Sequence, residues 1–307
     1  MRALRALTFN VKLLPSYAKL AVTPKLCARG WWEENGGWSD AERARHIRQA
    51  ILDRAPDVLV LQELFQEDER ERLRALLRAG GYTFTTGPLG ADLLREDSGL
   101  FLASRLPVRA HGFQAYDAKF GEDALADKGV AWIDVDCSSV WPGVDSLRVF
   151  GTHLQSGYAA HAVRKRQLAQ LRRVVGDALR SAPLERTAAV ALGDFNVVGE
   201  DRAPDGRLVP GWEYEHLRRS LGAVRDLGAD PLRGEERFTW DGVRNRWMTE
   251  PGDRSRKRLD YIFALDGLDG VGTFRALAAT GTRVDPFEVD GRHLSDHFAV
   301  VSELRPA

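Results

Sequence analysis

Cysteine is nearly absent from this chain: Cys27 and Cys137 are its only two in 307 residues. Two thiols leave no material for a disulfide framework or a cysteine-ligated zinc site. Net charge is missing too, since 44 basic residues face 44 acidic ones. That balance argues against a dedicated nucleic-acid binder, which carries a net basic face, so no stable nucleic-acid partner is expected. No apolar run approaches the roughly 20 residues needed to span a bilayer. The first ten residues alternate like a strand and lack the apolar core of a signal peptide. These absences predict a soluble, reduced protein, cytoplasmic or peripheral to a membrane. With no internal repeat and no proline-rich linker, residues 1–307 are expected to form a single domain.

The hydrophobic content, 44%, is enough for a packed core. Apolar runs predict strands at 5–11, 57–63, 82–86, 99–103, 108–113, 129–135, 147–153, 187–192, 258–264, 272–278 and 298–304. Ser39 followed by Glu42 is a capping-box pattern that opens a helix carrying Ala44, Ile47 and Ile51 at helical spacing. Further helices are expected at 67–78, closed by Gly80-Gly81, and at 161–180, where Leu168, Leu171, Val174 and Val175 form a stripe. Two sheets packed together with helices outside would bury all these faces.

Polar residues gather where the apolar strands end. Glu63 follows Val58-Leu59-Val60-Leu61-Gln62, and a carboxylate ending a buried strand is costly unless it is paired or binds a metal. Asn10 ends the first strand and offers a neutral oxygen. Hard oxygen ligands of this kind suit magnesium, which keeps several waters and takes few protein ligands. Asp194 and Asn196, two apart, share a side if the backbone stays extended, and the pair could hold a water or a phosphate oxygen; an Asx turn is the alternative. His153 ends a strand and could donate to a phosphate oxygen, although a lone histidine there is more often structural. Asp260 lies inside an apolar strand and needs a partner. His297 is the obvious one, and the pairing would fix its tautomer and raise its basicity. Asp296 stands beside it in Leu294-Ser295-Asp296-His297-Phe298.

Taken in order, Asn10, Glu63, His153, Asp194-Phe195-Asn196, Leu259-Asp260-Tyr261 and Ser295-Asp296-His297 resemble the endonuclease/exonuclease/phosphatase superfamily over nearly the whole chain. The resemblance implies an α+β fold, a four-layer α/β/β/α sandwich with two packed mixed sheets of the DNase I-like kind. It also implies metal-dependent cleavage of phosphate esters, and it leaves the substrate open.

Further segments are similar to neutral sphingomyelinases. They are Asp97-Ser98-Gly99 through Leu106-Pro107, Asp123 and Lys128 followed by Gly129, Thr239-Trp240-Asp241, and Asn10-Val11-Lys12-Leu13-Leu14-Pro15. This likeness implies a magnesium-dependent phosphodiesterase (manganese or cobalt being the alternatives) that acts on a phospholipid at a membrane surface. A nuclease or soluble phosphatase of the same superfamily is the second reading. On the first, Glu63 with Asn10 holds the metal, and His297 oriented by Asp260 is the base. Asp296 completes the base or metal site, Asp194 and Asn196 position water and phosphate, and His153 binds a phosphoryl oxygen or assists the leaving group. Lys128 pairs with Asp123 at rest or faces the substrate phosphate. One departure stands out. Where secreted bacterial sphingomyelinases carry a membrane-inserting aromatic hairpin, residues 283–290 hold one aromatic and three acids. The loop at 13–38, with Tyr17, Trp31, Trp32 and Trp38, could replace it at a lipid interface or cover the core as a lid.

Overall fold

The computed structural model describes residues 2–14, 38–90, 96–229, 234–247 and 252–307. Cys27 and positions 15–37 of the aromatic loop therefore lie outside the described residues. Strand β1 (Leu4–Leu13) is followed by helix α1 (Asp40–Arg54), β2 (Val58–Leu64), helix α2 (Glu67–Ala79), β3 (Phe84–Thr85), β4 (Phe101–Ser104) and β5 (Val108–Ala115). Then come β6 (Gly129–Asp136), β7 (Ser146–His153), helix α3 (His161–Leu179) and β8 (Thr187–Asp194). A small hairpin, β9 (Glu200–Arg202) with β10 (Leu208–Pro210), precedes helix α4 (Trp212–Leu221) and β11 (Ala223–Asp226). The chain ends through β12 (Trp240–Asp241), β13 (Arg256–Lys257), β14 (Asp260–Leu268), β15 (Gly272–Thr273), β16 (Leu277–Asp285), β17 (Glu288–Val289), β18 (Arg292–His293) and β19 (Ala299–Pro306).

Two mixed sheets organise these strands. One runs β16-β19-β1-β2-β4-β3, the other β11-β14-β8-β7-β6-β5 with β15 beside β14. Their inner faces share a core in which Val58, Val60, Leu100 and Leu102 of the first sheet meet Ile133, Val149, Val190 and Ile262 of the second. Outer faces are covered by helices. Leu59 and Leu61 pack with Ala44 and Ile47 of α1 and Leu73 and Leu77 of α2, while Phe150, Ala191 and Phe263 pack with Leu168 and Leu171 of α3 and Leu217 of α4. The result is the expected α/β/β/α order. It explains why β2 reads as an unbroken apolar run: alternate residues face opposite ways, but both faces are buried. The capping box at α1 forms as its spacing predicts, with Glu42 N donating to Ser39 Oγ and Ser39 N to Glu42 Oε2.

Several elements depart from the sequence-based expectation: the short strands β9 to β13, β17 and β18 were not expected, and two further departures are larger. The strand predicted at 272–278 is a two-residue pairing at β15 followed by the longer β16, because Thr273 and Leu277 bracket a break in which Phe274 turns into the α3–α4 core. Helix α4 was not expected; its apolar Tyr214, Leu217 and Leu221 are too few to stand out among four charged neighbours until the second sheet supplies a face to pack on. The stretch at 283–290 forms the end of β16 and the start of a small β17–β18 hairpin. Phe287 is fully buried against Phe9, 4.5 Å between ring centroids, beneath the Arg54 guanidinium. Among the described residues no helix is long and apolar enough to cross a membrane.

What positions the site is strand direction. Each sheet contains one parallel pair, β1 with β2 and β7 with β8. Parallel neighbours end at the same edge, so Asn10 and Glu63 emerge together, and so do His153 and Asp194. The antiparallel neighbours begin at that edge: Asp260 opens β14 directly opposite Asp194, and Asp296-His297 lead into β19 beside β1. The sheets come close near this edge, where a Cβ on Gly151 would lie 2.7 Å from Val60 Cγ1. Gly151→Val should therefore cost about 1–3 kcal/mol by overpacking. Pairing it with Val60→Ala should recover much of the loss in denaturant unfolding; no recovery would show that the two sheets are not in contact there.

Candidate active site

The parallel strands do not run straight out into solvent; they bend. Lys12, Glu63 and Asn196 all have positive φ, 47°, 57° and 50°. These are uncommon values for side chains with a Cβ, held here by surrounding hydrogen bonds. The bend past Asn10 is a register shift between β1 and β2. Arg43 braces it, donating to Val11 O at 2.6 Å and to Leu294 O at 2.8 Å, which ties the end of β1 to the Asp296-His297 segment. Gly193 lets β8 lie tight on β7, since any Cβ there would collide with Thr152 O at 2.0 Å.

A cleft of about 500 Å³ opens over these ends, lined by Lys12, Glu63, His153, Asp194, Asn196, Asp296 and His297, with Tyr158, Arg164, Trp240 and Lys257 farther out. At its floor Asn10 Nδ2 donates to Glu63 Oε1 at 2.8 Å and to Asp194 Oδ2 at 3.2 Å. Two imidazoles flank the same Asp194 oxygen: His153 Nε2 at 3.5 Å and His297 Nε2 at 3.8 Å. Behind His297, Asp260 Oδ2 accepts from Nδ1 at 2.8 Å, so Nε2 is the nitrogen presented to the cleft. The Thr239-Trp240-Asp241 turn holds this couple in place. Thr239 Oγ1 accepts from Asp260 N at 3.2 Å, and the Trp240 ring meets His297 edge-on at 5.3 Å.

The electrostatics separate the two imidazoles. Burial, the Lys128 ammonium and His297 push His153 well below its ordinary 6.5. For His297 burial acts in the same direction, but Asp260 and Asp194 overcome it and raise the group to about 10. Burial lifts Asp194 to about 7, against the pull of His297. A carboxylate so poorly compensated, beside Glu63 and open to the cleft, fits a divalent cation, which would stabilise its ionised form. Asp194, Asp260 and His297 also have ligand atoms within 4.8 Å of one another. The Asp260–His297 hydrogen bond engages two of these three, so Glu63 and Asp194 are the donors that face the cleft with capacity to spare.

The structure brings together every residue the sequence singled out, in two tiers. Glu63, His153, Asp194, Asn196, Asp296 and His297 line the cleft, whereas Asn10 and Asp260 stand behind it. Asn10 differs from the expected oxygen ligand: its amide nitrogen faces the two carboxylates, and its Oδ1 accepts the Lys12 N–H at 3.1 Å. Asn196 differs as well. The backbone does not stay extended but turns, with Asn196 N donating to Asp194 Oδ1 at 2.9 Å and Nδ2 to Leu154 O at 3.1 Å. Lys128 is buried and sits behind His153, its Nζ 3.1 Å from Nε2 and 2.8 Å from Asp123 Oδ1. Asp123 also accepts from Ser156 N and Gln155 Nε2, both at 2.7 Å. As placed, this pair sets the position and charge of His153. Lys12 was missed as a site residue. Its Nζ lies 2.5 Å from Asp296 Oδ2, and only the bend after Asn10 turns it inward.

This arrangement has counterparts. The sequence matches the Endonuclease/Exonuclease/phosphatase family over residues 7–297. The chain belongs to that family. A sphingomyelinase of Dictyostelium discoideum is 24% identical, over 81% of this chain and 71% of its own length. Among solved structures, a beta toxin mutant from Staphylococcus aureus with bound magnesium ions superposes with a TM-score of 0.71 at 19% identity, covering 99% of each chain. Danio rerio TDP2 complexed with a single-strand DNA product gives 0.67 at 20% identity, again over 99% of each chain. As a family member the protein is a phosphodiesterase, and its site supports a divalent metal.

If Lys128 holds down the His153 pKa, Lys128→Met should raise it towards 6.5 without reaching it, because burial remains. Histidine NMR titration reads this directly. An unchanged His153 would remove Lys128 from that role.

Proposed function

We propose that this family member is a magnesium-dependent phosphodiesterase of neutral sphingomyelinase type, residues 1–307 forming one catalytic domain, that hydrolyses a phospholipid to a lipid alcohol and a phosphorylated head group. The observation that carries the proposal is the convergence of Glu63, Asp194, His153 and His297 on one open cleft, each delivered by a different strand end. The lipid assignment is supported by the Dictyostelium relative's name and by the Asp123/Lys128 segment, and the zero net charge weighs against a nucleic acid substrate. The beta toxin's bound magnesium supports the choice of metal.

Glu63 and Asp194 would hold the cation, which neutralises charge on the phosphoryl oxygens. Asp260 fixes His297 with Nε2 towards the cleft, where it takes the proton of the attacking water. That role requires a neutral imidazole at working pH. Asp194 is one of the groups that raise His297, so engaging this carboxylate with a cation brings the His297 pKa down from about 10. For His153, kept neutral, to bind a phosphoryl oxygen its Nε2 must carry the proton, so the Lys128 ammonium that donates to that nitrogen at 3.1 Å has to turn from it towards Asp123. Lys12 counters Asp296 and adds positive potential at the cleft wall.

Three outcomes test this reading. His297→Ala should lower kcat on sphingomyelin roughly 10²–10⁴-fold with the fold retained; near-normal turnover would end the proposed mechanism. EDTA should abolish cleavage, magnesium should restore it, and magnesium should raise the Tm of the wild type but much less that of Glu63→Gln. Asp260→Asn removes a group that raises His297, so the ascending limb of kcat/KM against pH should move to lower pH while the plateau rate falls. A limb that stays put would separate His297 from the proton transfer. Plasmid cleavage matching lipid cleavage would favour the nuclease reading instead.

A further inference from the structure

Glu63 reaches the cleft from a backbone position that a glutamate does not hold unaided. Its φ of 57° lies in the left-handed region, although the next residue, Leu64, is still paired with Leu13 of β1. Such an angle persists only where the surroundings over-determine it. Here the two peptide groups that follow Glu63 are both pinned. Leu64 N donates to Gly99 O at 2.9 Å, and Phe65 N donates to Leu13 O at 3.1 Å. The carbonyl between them, Leu64 O, accepts from Arg70 Nη2 of helix α2.

One ion pair governs these anchors. Arg70 Nη1 pairs with Asp97 Oδ2, and the other oxygen of Asp97 accepts from Gly99 N at 2.6 Å. The guanidinium therefore grips the Glu63 turn twice, directly at Leu64 O and indirectly through Asp97 and Gly99. Gly99 allows the approach: its φ is 65°, and a Cβ there would lie 2.7 Å from Phe65 Cζ. Arg70 is 1% exposed and Asp97 7%, and neither is among the residues lining the cleft. Two charges withdrawn from water this far are expensive, and an apolar pair would pack α2 on the sheet at least as well. What an apolar pair lacks is the donors and acceptor that fix the backbone on both sides of the turn.

We propose that Arg70 and Asp97 are positioning residues for the divalent-cation site: they fix the turn that aims the Glu63 carboxylate into the cleft, and so set the affinity for the cation. The inference rests on the reading of Glu63 as a metal ligand and deepens it by naming what holds that ligand ready. Neither residue touches metal or substrate. The turn fixes the stem of Glu63, and Asn10 Nδ2, donating to Oε1 at 2.8 Å, fixes its tip. A carboxylate ordered at both ends before the cation arrives has little freedom left to lose on binding.

The test is calorimetric titration of the full chain with magnesium chloride. The double variant Arg70→Met/Asp97→Asn removes both charges together, so neither is left buried alone. Its magnesium dissociation constant should rise roughly 10–100-fold over wild type. Leu77→Ala is the control: it opens a void near the other end of α2, away from the turn, and should lower Tm without moving the dissociation constant. An unchanged constant in the double variant, or an equal rise in the control, would overturn the proposal. Asp97→Asn alone keeps an acceptor for Gly99 N and should show a smaller rise; it decides the matter if the double variant does not fold. If the wild type binds no magnesium, the metal reading of Glu63 fails separately. The crystal structure of the variant that folds then decides the positioning role: a Glu63 φ that leaves the left-handed region upholds it, and an unchanged turn overturns it.

Discussion

Parallel pairing of β1 with β2 in one sheet and of β7 with β8 in the other is the constraint on which the site depends. Parallel strands need crossovers, and the crossovers here include α1 between β1 and β2 and α3 between β7 and β8. Helices therefore cover the outer faces, and both strands of each pair finish at one edge. Packing the sheets face to face then sets the two finishing edges side by side. Four polar residues that are far apart in the chain arrive in one cleft because of strand direction, before any side chain interacts.

Collecting charge at such an edge has an energetic cost, since Asp194, Asp260, Asp296 and Lys12 leave water. The site meets it through a network with alternating signs: Lys12 against Asp296, Asp260 against His297, Asp123 against Lys128, and Asn10 donating to Glu63 and Asp194. The network is asymmetric. His297 faces carboxylates and His153 faces an ammonium, so identical imidazoles acquire opposite proton affinities within a few ångströms of the same Asp194 oxygen. Asymmetry of this kind pushes the proton affinities of two like groups apart within one site.

The residues that resemble neutral sphingomyelinases have different physical duties. Asp97 is buried, pairs with Arg70 and accepts from Gly99 N at 2.6 Å, so that segment supports the fold. Thr239-Trp240-Asp241 holds the Asp260–His297 pair in place. Lys128 and Asp123 support His153. Phe287, in the stretch where the secreted enzymes place an inserting hairpin, is turned into the core and is unavailable to a membrane from there.

Much was legible in the sequence because burial leaves a local signature. The apolar run of β2, the α1 capping box and the stripe of α3 each follow from neighbours within a turn or a strand, and the order of polar strand ends pointed to the family. Short elements left no such signature: α4 and β15 acquire their identity from the surfaces they pack on. Asp260 and His297 could be paired from sequence because an aspartate within an apolar strand demands a partner. The orientation of Asn10, the turn at Asn196, the inward swing of Lys12 and the place of Lys128 behind His153 could not. Each depends on a backbone angle or on contacts between segments separated by tens or hundreds of residues. The sequence by itself determined which chemical groups the protein has and which strand ends carry them. Only the tertiary structure decided which of those groups face the cleft, because facing is set by strand bends and sheet packing, and neither has a local code.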